Sequence, residues 1–310
     1  MENKILKNIT FVAVFLCFFI IFTFFLFRHN DRVKTNAPVS APLADNLVAA
    51  VAVPVLPPPP PPETYDILII PGHDVKDGGA CYKDICERDL AASIAQRISK
   101  ILGQDQLYKI TIARDDAAWN PVFQDYFQNE KQAIIDWKTG RQAEQKALMA
   151  SGIIKYVPDM AYHSEVTPET SVKLYGMNKW ADESGIDLVL NLHFNDSGRP
   201  QMNYPGQFKG FTIFIPESQM KNHVASKAAA EKIFEQLKIV QSPELDNLLE
   251  DQSLIALGAS GTLGAPSMLI EYAYIYEKKL TTPAEREEAL DEYARQTALG
   301  IENYFNDSKL

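Results

Sequence analysis

Asp187-Leu188-Val189-Leu190-Asn191-Leu192-His193 decides the reading of this chain. It is a short apolar run that ends on a histidine. A run of this length bounded by polar residues reads as a strand buried on both faces. Working outward, the pattern recurs upstream in Ile67-Leu68-Ile69-Ile70-Pro71-Gly72-His73 and downstream in Met268-Leu269-Ile270-Glu271. Three apolar strands thus deliver a polar, metal-capable or ionisable side chain at or near their ends. Such a side chain beside a buried strand is costly unless it has a partner.

The segments between these runs read as further strands and as helices. Leu90, Ile94, Ile98 and Ile101/Leu102 recur at helical spacing. Tyr108 to Ala113 reads as a strand that leads to Arg114, and Gly210 to Ile215 as another. Asn129 to Ser151, Glu169 to Ser184, Val224 to Leu237 and Pro283 to Phe305 read as helices. Strands alternating with helices predict an α/β fold: a single three-layer domain with a mostly parallel twisted sheet flanked by helices. Ligands of such sheets bind beyond the carboxyl ends of the strands, and His73, His193 and Glu271 all fall at or near such ends. Residues 116–170 interrupt the alternation as an insertion that reads equally as a lid or as a surface elaboration.

The first 63 residues have a different character. Phe11 to Phe27 is almost wholly apolar, with Lys4 and Lys7 before it and Arg28, Arg32 and Lys34 after it. Residues 8–27 are long enough to cross a hydrocarbon core of roughly 30 Å. That length favours an uncleaved transmembrane anchor over a cleaved signal peptide. The expectation is a cytoplasmic tail at 1–7, an anchor at 8–27, and an Ala/Val/Pro-rich linker at 28–63 ending in the prolines 57–62. Polyproline spacing lets the linker reach on the order of 100 Å. The domain at 64–310 would then lie outside the cytoplasm, on the periplasmic or wall side of the cell membrane. A net charge of −10 argues against a nucleic-acid partner. Three cysteines are too few for a disulfide scaffold. Cys81 and Cys86 read either as a bridge or as two free thiols.

His73, Glu87 and His193 together form a His, Glu, His donor set. With a fourth position left open, that set is the pattern of a catalytic zinc (Zn2+) site, whereas a structural site shows four Cys or His ligands. Glu271 is then the carboxylate that moves the proton. Each of these residues alone has an ordinary structural reading, but the ordered set points to a hydrolase.

These residues also carry a resemblance. Ile69-Ile70-Pro71-Gly72-His73, Glu87-Arg88-Asp89-Leu90, Tyr108 to Asp115, Asp187 to Asn195 and Ala265 to Ile275 resemble, in order, the motifs of the type-3 family of zinc-dependent N-acetylmuramoyl-L-alanine amidases. The resemblance implies zinc ligands at His73, Glu87 and His193 and a catalytic Glu271. It implies cleavage of the amide between the lactyl group of N-acetylmuramic acid and L-Ala of the peptidoglycan stem. Asn195 and Arg114 are candidate substrate contacts, and Asn195 reads also as a cap on the strand end. The chain departs from the family where Asp74-Val75 replaces two glycines, with Gly78-Gly79 following later, where Ala273 replaces a glycine, and where an arginine is either represented by Lys173 or absent. The anchor implies the membrane as a second partner, and an activator protein is left open. Other readings of the same residues are a zinc carboxypeptidase-like peptidase and a non-catalytic wall-binding module.

Overall fold

The computed structural model describes residues 64–307 apart from 75, 77 and 159–165. Residues 1–63, with the expected anchor and linker, lie outside the described residues. Among the described residues no helix is long and apolar enough to cross a membrane.

The first strand, β1 (Tyr65–Pro71), is followed by a small hairpin of β2 (Cys81–Tyr82) and β3 (Ile85–Cys86). Then come α1 (Glu87–Leu102), β4 (Tyr108–Ile112), α2 (Pro121–Asn129), α3 (Lys131–Ala150) and α4 (Pro168–Ser184). The chain continues through β5 (Leu188–Asn195), β6 (Thr212–Pro216), α5 (His223–Leu237) and β7 (Leu249–Asp251). It closes with β8 (Ser267–Tyr274), α6 (Lys278–Thr281) and α7 (Pro283–Asp307). The main sheet has the order β4-β1-β5-β8-β6-β7. Strands β4, β1, β5 and β8 are mutually parallel, whereas β6 runs antiparallel to β8 and parallel to β7. The mostly parallel expectation therefore holds, with an inverted pair at one edge.

Successive strand residues point to opposite faces, and both faces are covered. Ile67, Ile69, Leu190, Leu192, Met268 and Ile270 join a core with Ile94 and Ile98 of α1, Ile233 of α5 and Ile301 of α7. Leu68, Ile70 and Val189 face the other way, onto Met177 and Ala181 of α4 and Phe123 of α2. This is why the strands read as unbroken apolar runs. Helix α4 is stopped at both ends by its sequence. The Thr167 hydroxyl accepts from the Thr170 N–H with Pro168 in the first turn, and Gly185 closes it at φ 66°.

The insertion packs as an outer layer on α4. Its tail is fastened far from the ligand-bearing strand ends. Lys155 N–H donates to Gln219 Oε1 (2.8 Å) and Val157 N–H to Gln252 Oε1 (3.1 Å), beyond the carboxyl end of the inverted strand β6.

Candidate active site

A turn, a helix N-terminus and a strand meet near the carboxyl ends of β1 and β5. His73 lies two residues beyond β1, Glu87 opens α1, and His193 stands near the end of β5. The Glu87 carboxylate lies between the two imidazoles: Oε2 is 3.0 Å from His73 Nε2 and Oε1 is 2.9 Å from His193 Nδ1. One candidate ligand atom from each residue lies within 4.8 Å of the others. Glu87 is 5% exposed. Burial alone would raise its pKa, but the hydrogen bonds and charges of His193 and His73 outweigh that and hold it well below the usual carboxylate range.

The donor set suits a metal ion, and the backbone around it is shaped for close approach. A Cβ on Gly72 would stand 2.4 Å from His193 Cε1, and one on Gly79 would stand 2.5 Å from His73 Cδ2 and 2.7 Å from Glu87 Oε2. Gly79 also has φ +67°, in the left-handed region that favours glycine. It is a residue whose part in the site the motif comparison did not assign. The displaced Gly78-Gly79 pair was the only signal for it. His73 itself has φ +62°, a conformation that costs a non-glycine residue about 1–2 kcal/mol.

Glu271 is the registered neighbour of His193 across the β5–β8 pairing and of Thr212 across β8–β6. The residue keeps some solvent exposure, while its Oε2 is enclosed and has no hydrogen-bond partner. Burial, together with the charges of Glu87 and Glu244, pushes its pKa well above the ordinary carboxylate value. Glu244 in turn accepts from Thr212 Oγ1 (3.1 Å) and Tyr274 OH (2.9 Å).

The two expected substrate contacts fall in different surroundings. Asn195 is half-buried at the end of β5, its carbonyl accepting from Ile275 N–H (2.9 Å). Arg114 is 2% exposed and turns inward. Its guanidinium donates through Nε to His73 O, through Nη2 to Gly72 O and Arg88 O (3.1 Å), and through Nη1 to Asp115 O (2.8 Å). All four of these acceptors are backbone carbonyls, three of them on the segments that carry His73 and Glu87. Lys173 pairs with Asp74 at 2.7 Å, and Trp119 Nε1 donates to the same Asp74 oxygen at 3.3 Å. A groove of about 940 Å³ between the insertion and α4 begins at Asp74, and none of the three candidate ligands lines it.

Cys81 and Cys86 are joined by a disulfide across the β2–β3 hairpin. The hairpin delivers the chain directly into Glu87, whose N–H donates to Ala80 O (2.8 Å) and whose Oε2 accepts from Ala80 N–H (3.2 Å).

The family model for N-acetylmuramoyl-L-alanine amidase matches residues 67–303. The fold is shared with the CwlD amidase from Clostridioides difficile, solved in complex with the GerS lipoprotein. The TM-score is 0.54 at 16% identity, over 79% of this chain and 100% of that one. It is shared as well with the catalytic domain of CwlV, an N-acetylmuramoyl-L-alanine amidase from Bacillus (Paenibacillus) polymyxa var. colistinus. There the TM-score is 0.50 at 16% identity, over 78% and 99% of the two chains. No curated protein matches the sequence.

Proposed function

The chain belongs to the N-acetylmuramoyl-L-alanine amidase family, hydrolases of peptidoglycan, and we propose that it cuts its amide with zinc held by His73, Glu87 and His193 and with Glu271 as the proton carrier. The observation that carries this reading is the enclosed, unpartnered Oε2 of Glu271 beside the three converging donors. Two imidazoles and a carboxylate leave a position open for water and substrate, as catalytic zinc sites do. When bound, zinc lowers the pKa of water toward about 7 and polarises a carbonyl.

The protein's own groups do the rest. Glu87 is the only anionic member of the donor set, and its burial keeps that charge from being spread into solvent. The imidazoles are turned toward it by the bare backbone of Gly72 and Gly79, which lets the rings lie against the main chain. A carboxylate with a raised proton affinity and an empty oxygen takes a proton from water and returns it to the departing amine of L-Ala. The proton then stays at one atom, Glu271 Oε2, between its two transfers.

The reading includes a location. Residues 8–27 would tether the domain to the outer face of the cell membrane and residues 28–63 would extend it toward the wall. The apolar run at Phe11 to Phe27, the prolines at 57–62 and an insoluble extracytoplasmic substrate support this.

The test uses the purified full chain. Metal content is measured, and turnover of purified peptidoglycan is followed before chelation, after it, and after zinc is restored. The expected result is one zinc per chain and chelator-sensitive release of stem peptides with a new L-Ala amine. Glu271→Gln should keep the zinc and lose activity by about 10²–10⁴-fold. Loss of the metal in that variant would make Glu271 a ligand. Bound zinc with release of terminal amino acids in place of whole stems would favour the carboxypeptidase-like reading.

A further inference from the structure

Two of the three candidate ligands sit on segments that share no strand pairing. His73 is in the turn after β1, and Glu87 is the first residue of α1. Arg114 reaches both. Its Nη2 donates to Gly72 O and to Arg88 O, and its Nε donates to His73 O. Arg88 follows Glu87 directly, so one guanidinium ties the two carbonyls that flank His73 to the carbonyl of the residue after Glu87.

The clamp acts where the backbone needs holding. His73 has φ +62°, a left-handed conformation that histidine adopts more readily than most residues but still uncommonly. Fixing the carbonyls on either side of its Cα fixes that geometry. The next residue is gripped separately, since Asp74 accepts from Lys173 Nζ (2.7 Å) and Trp119 Nε1 (3.3 Å). Only Arg114 among these groups also reaches α1. The planar fork of a guanidinium can aim at diverging carbonyls, which a point-charge ammonium cannot do as well.

We propose that Arg114 is a positioning residue that sets the His73–Glu87 geometry for the metal, in place of the substrate contact the motif suggested. Its guanidinium is buried, and three of its hydrogen bonds end on the ligand-bearing backbone. The inference rests on the zinc reading above.

The test compares the purified full chain with Arg114→Lys. The readouts are the zinc dissociation constant by chelator competition, the melting midpoint of the metal-stripped protein, and KM and kcat on a soluble muropeptide at saturating zinc. Leu290→Ala, in the core of α7, shows what loss of stability alone does to zinc binding. The expected result is a zinc dissociation constant raised about 10–100-fold in Arg114→Lys, the range seen when groups supporting metal ligands are lost. KM should stay unchanged, and Leu290→Ala should bind zinc as the parent does. An unchanged zinc constant in Arg114→Lys overturns the proposal. A raised KM with unchanged zinc binding also overturns it and restores the substrate contact. Equal zinc loss in Leu290→Ala overturns it in favour of general stability. Should Arg114→Lys fail to fold, Arg114→Gln, which keeps two N–H donors, is read against the same outcomes. A parent chain that binds no zinc would defeat the metal reading itself, and that result is distinct because it appears before any variant is made.

Discussion

At the residue scale the site depends on two glycines as much as on its charged groups. Gly72 and Gly79 present bare backbone to His193, His73 and Glu87, and a methyl at either place would overlap a candidate ligand. Gly79→Ala adds the strain of φ +67° to that overlap. It should weaken zinc binding by at least about 10-fold, the lower end expected when metal-ligand support is disturbed. Gly78→Ala is the matched control, because its added Cβ would meet only Arg88 Cδ at 3.7 Å. Titration calorimetry with zinc on both variants decides it, and equal affinities would mean that the loop yields freely. His73, His193 and Glu271 were legible in the sequence because each is the odd polar residue at or near the end of an apolar run. Gly79 was not, because its role depends on a backbone angle and on how the loop from His73 to Glu87 folds back. Arg114 was legible as a residue but not as a direction. A motif names the side chain, while only packing tells whether it turns outward to substrate or inward to carbonyls.

At the scale of elements, the strands buried on both faces were the clearest features, because helices cover both sides of the sheet and leave little polar interruption. The direction of β6 was not legible. Its composition suits either sense, and its antiparallel pairing with β8 follows from the long irregular connection of residues 196–211, which lacks the helix that normally carries a chain to the next parallel strand. The short β7 and the β2–β3 hairpin are below the length at which a period can be counted. The helix expected from Asn129 is preceded by α2, marked by Asn120, whose side chain accepts from Val122 N–H at 3.0 Å, and by Pro121. The inverted edge carries its own testable chemistry. Glu217, just after β6, is 4% exposed. Its Oε2 accepts from Gln219 N–H (3.1 Å), Gln219 Nε2 (3.0 Å) and Gln252 Nε2 (3.4 Å), and its Oε1 accepts from Ser218 Oγ (2.5 Å). Burial alone would raise its pKa, but these hydrogen bonds prevail and lower it from 4.5. A depressed carboxylate adds stability that is present above its unfolded value and is lost as pH falls through the folded value. Glu217→Gln should therefore destabilise the protein by about 1–3 kcal/mol at neutral pH. The gap to the parent should close as pH falls below about 4.5, the unfolded value of a glutamate. Melting curves from pH 7 to pH 3 measure it. A gap that does not depend on pH would mean that the hydrogen bonds serve shape and not charge. The same Gln219 and Gln252 hold the insertion tail, so the variant should also loosen residues 153–157 toward protease.

At the scale of the whole molecule, the question is how a domain with a compact site reaches an insoluble polymer. The described residues contain all three candidate ligands and Glu271, so the proposed chemistry on a soluble fragment calls on no residue of 1–63. An anchor at 8–27 would confine the domain to a layer beside the membrane, and the linker at 28–63 would set the depth of that layer. Confinement raises the effective concentration at substrate within reach and brings it near zero beyond reach. A Pro-rich spacer suits this because it is semi-rigid, at about 3.1 Å per residue in its extended stretches. Deleting residues 30–62 while keeping the apolar run should therefore leave kcat/KM on a soluble muropeptide unchanged. If the domain is anchored as proposed, the same deletion should reduce wall cutting, measured as stem peptide released from cells expressing equal amounts of the two chains. Restoring the length with an unrelated proline-rich segment should restore the release, since the argument concerns reach and not sequence. A Gly/Ser segment of equal length should restore less, because its mean end-to-end distance grows only with the square root of residue number. Equal release by the deleted and parent chains would show that the wall substrate comes to the membrane surface and that the spacer has another use. Rescue by the original segment alone would make that use a sequence-specific partner of the linker.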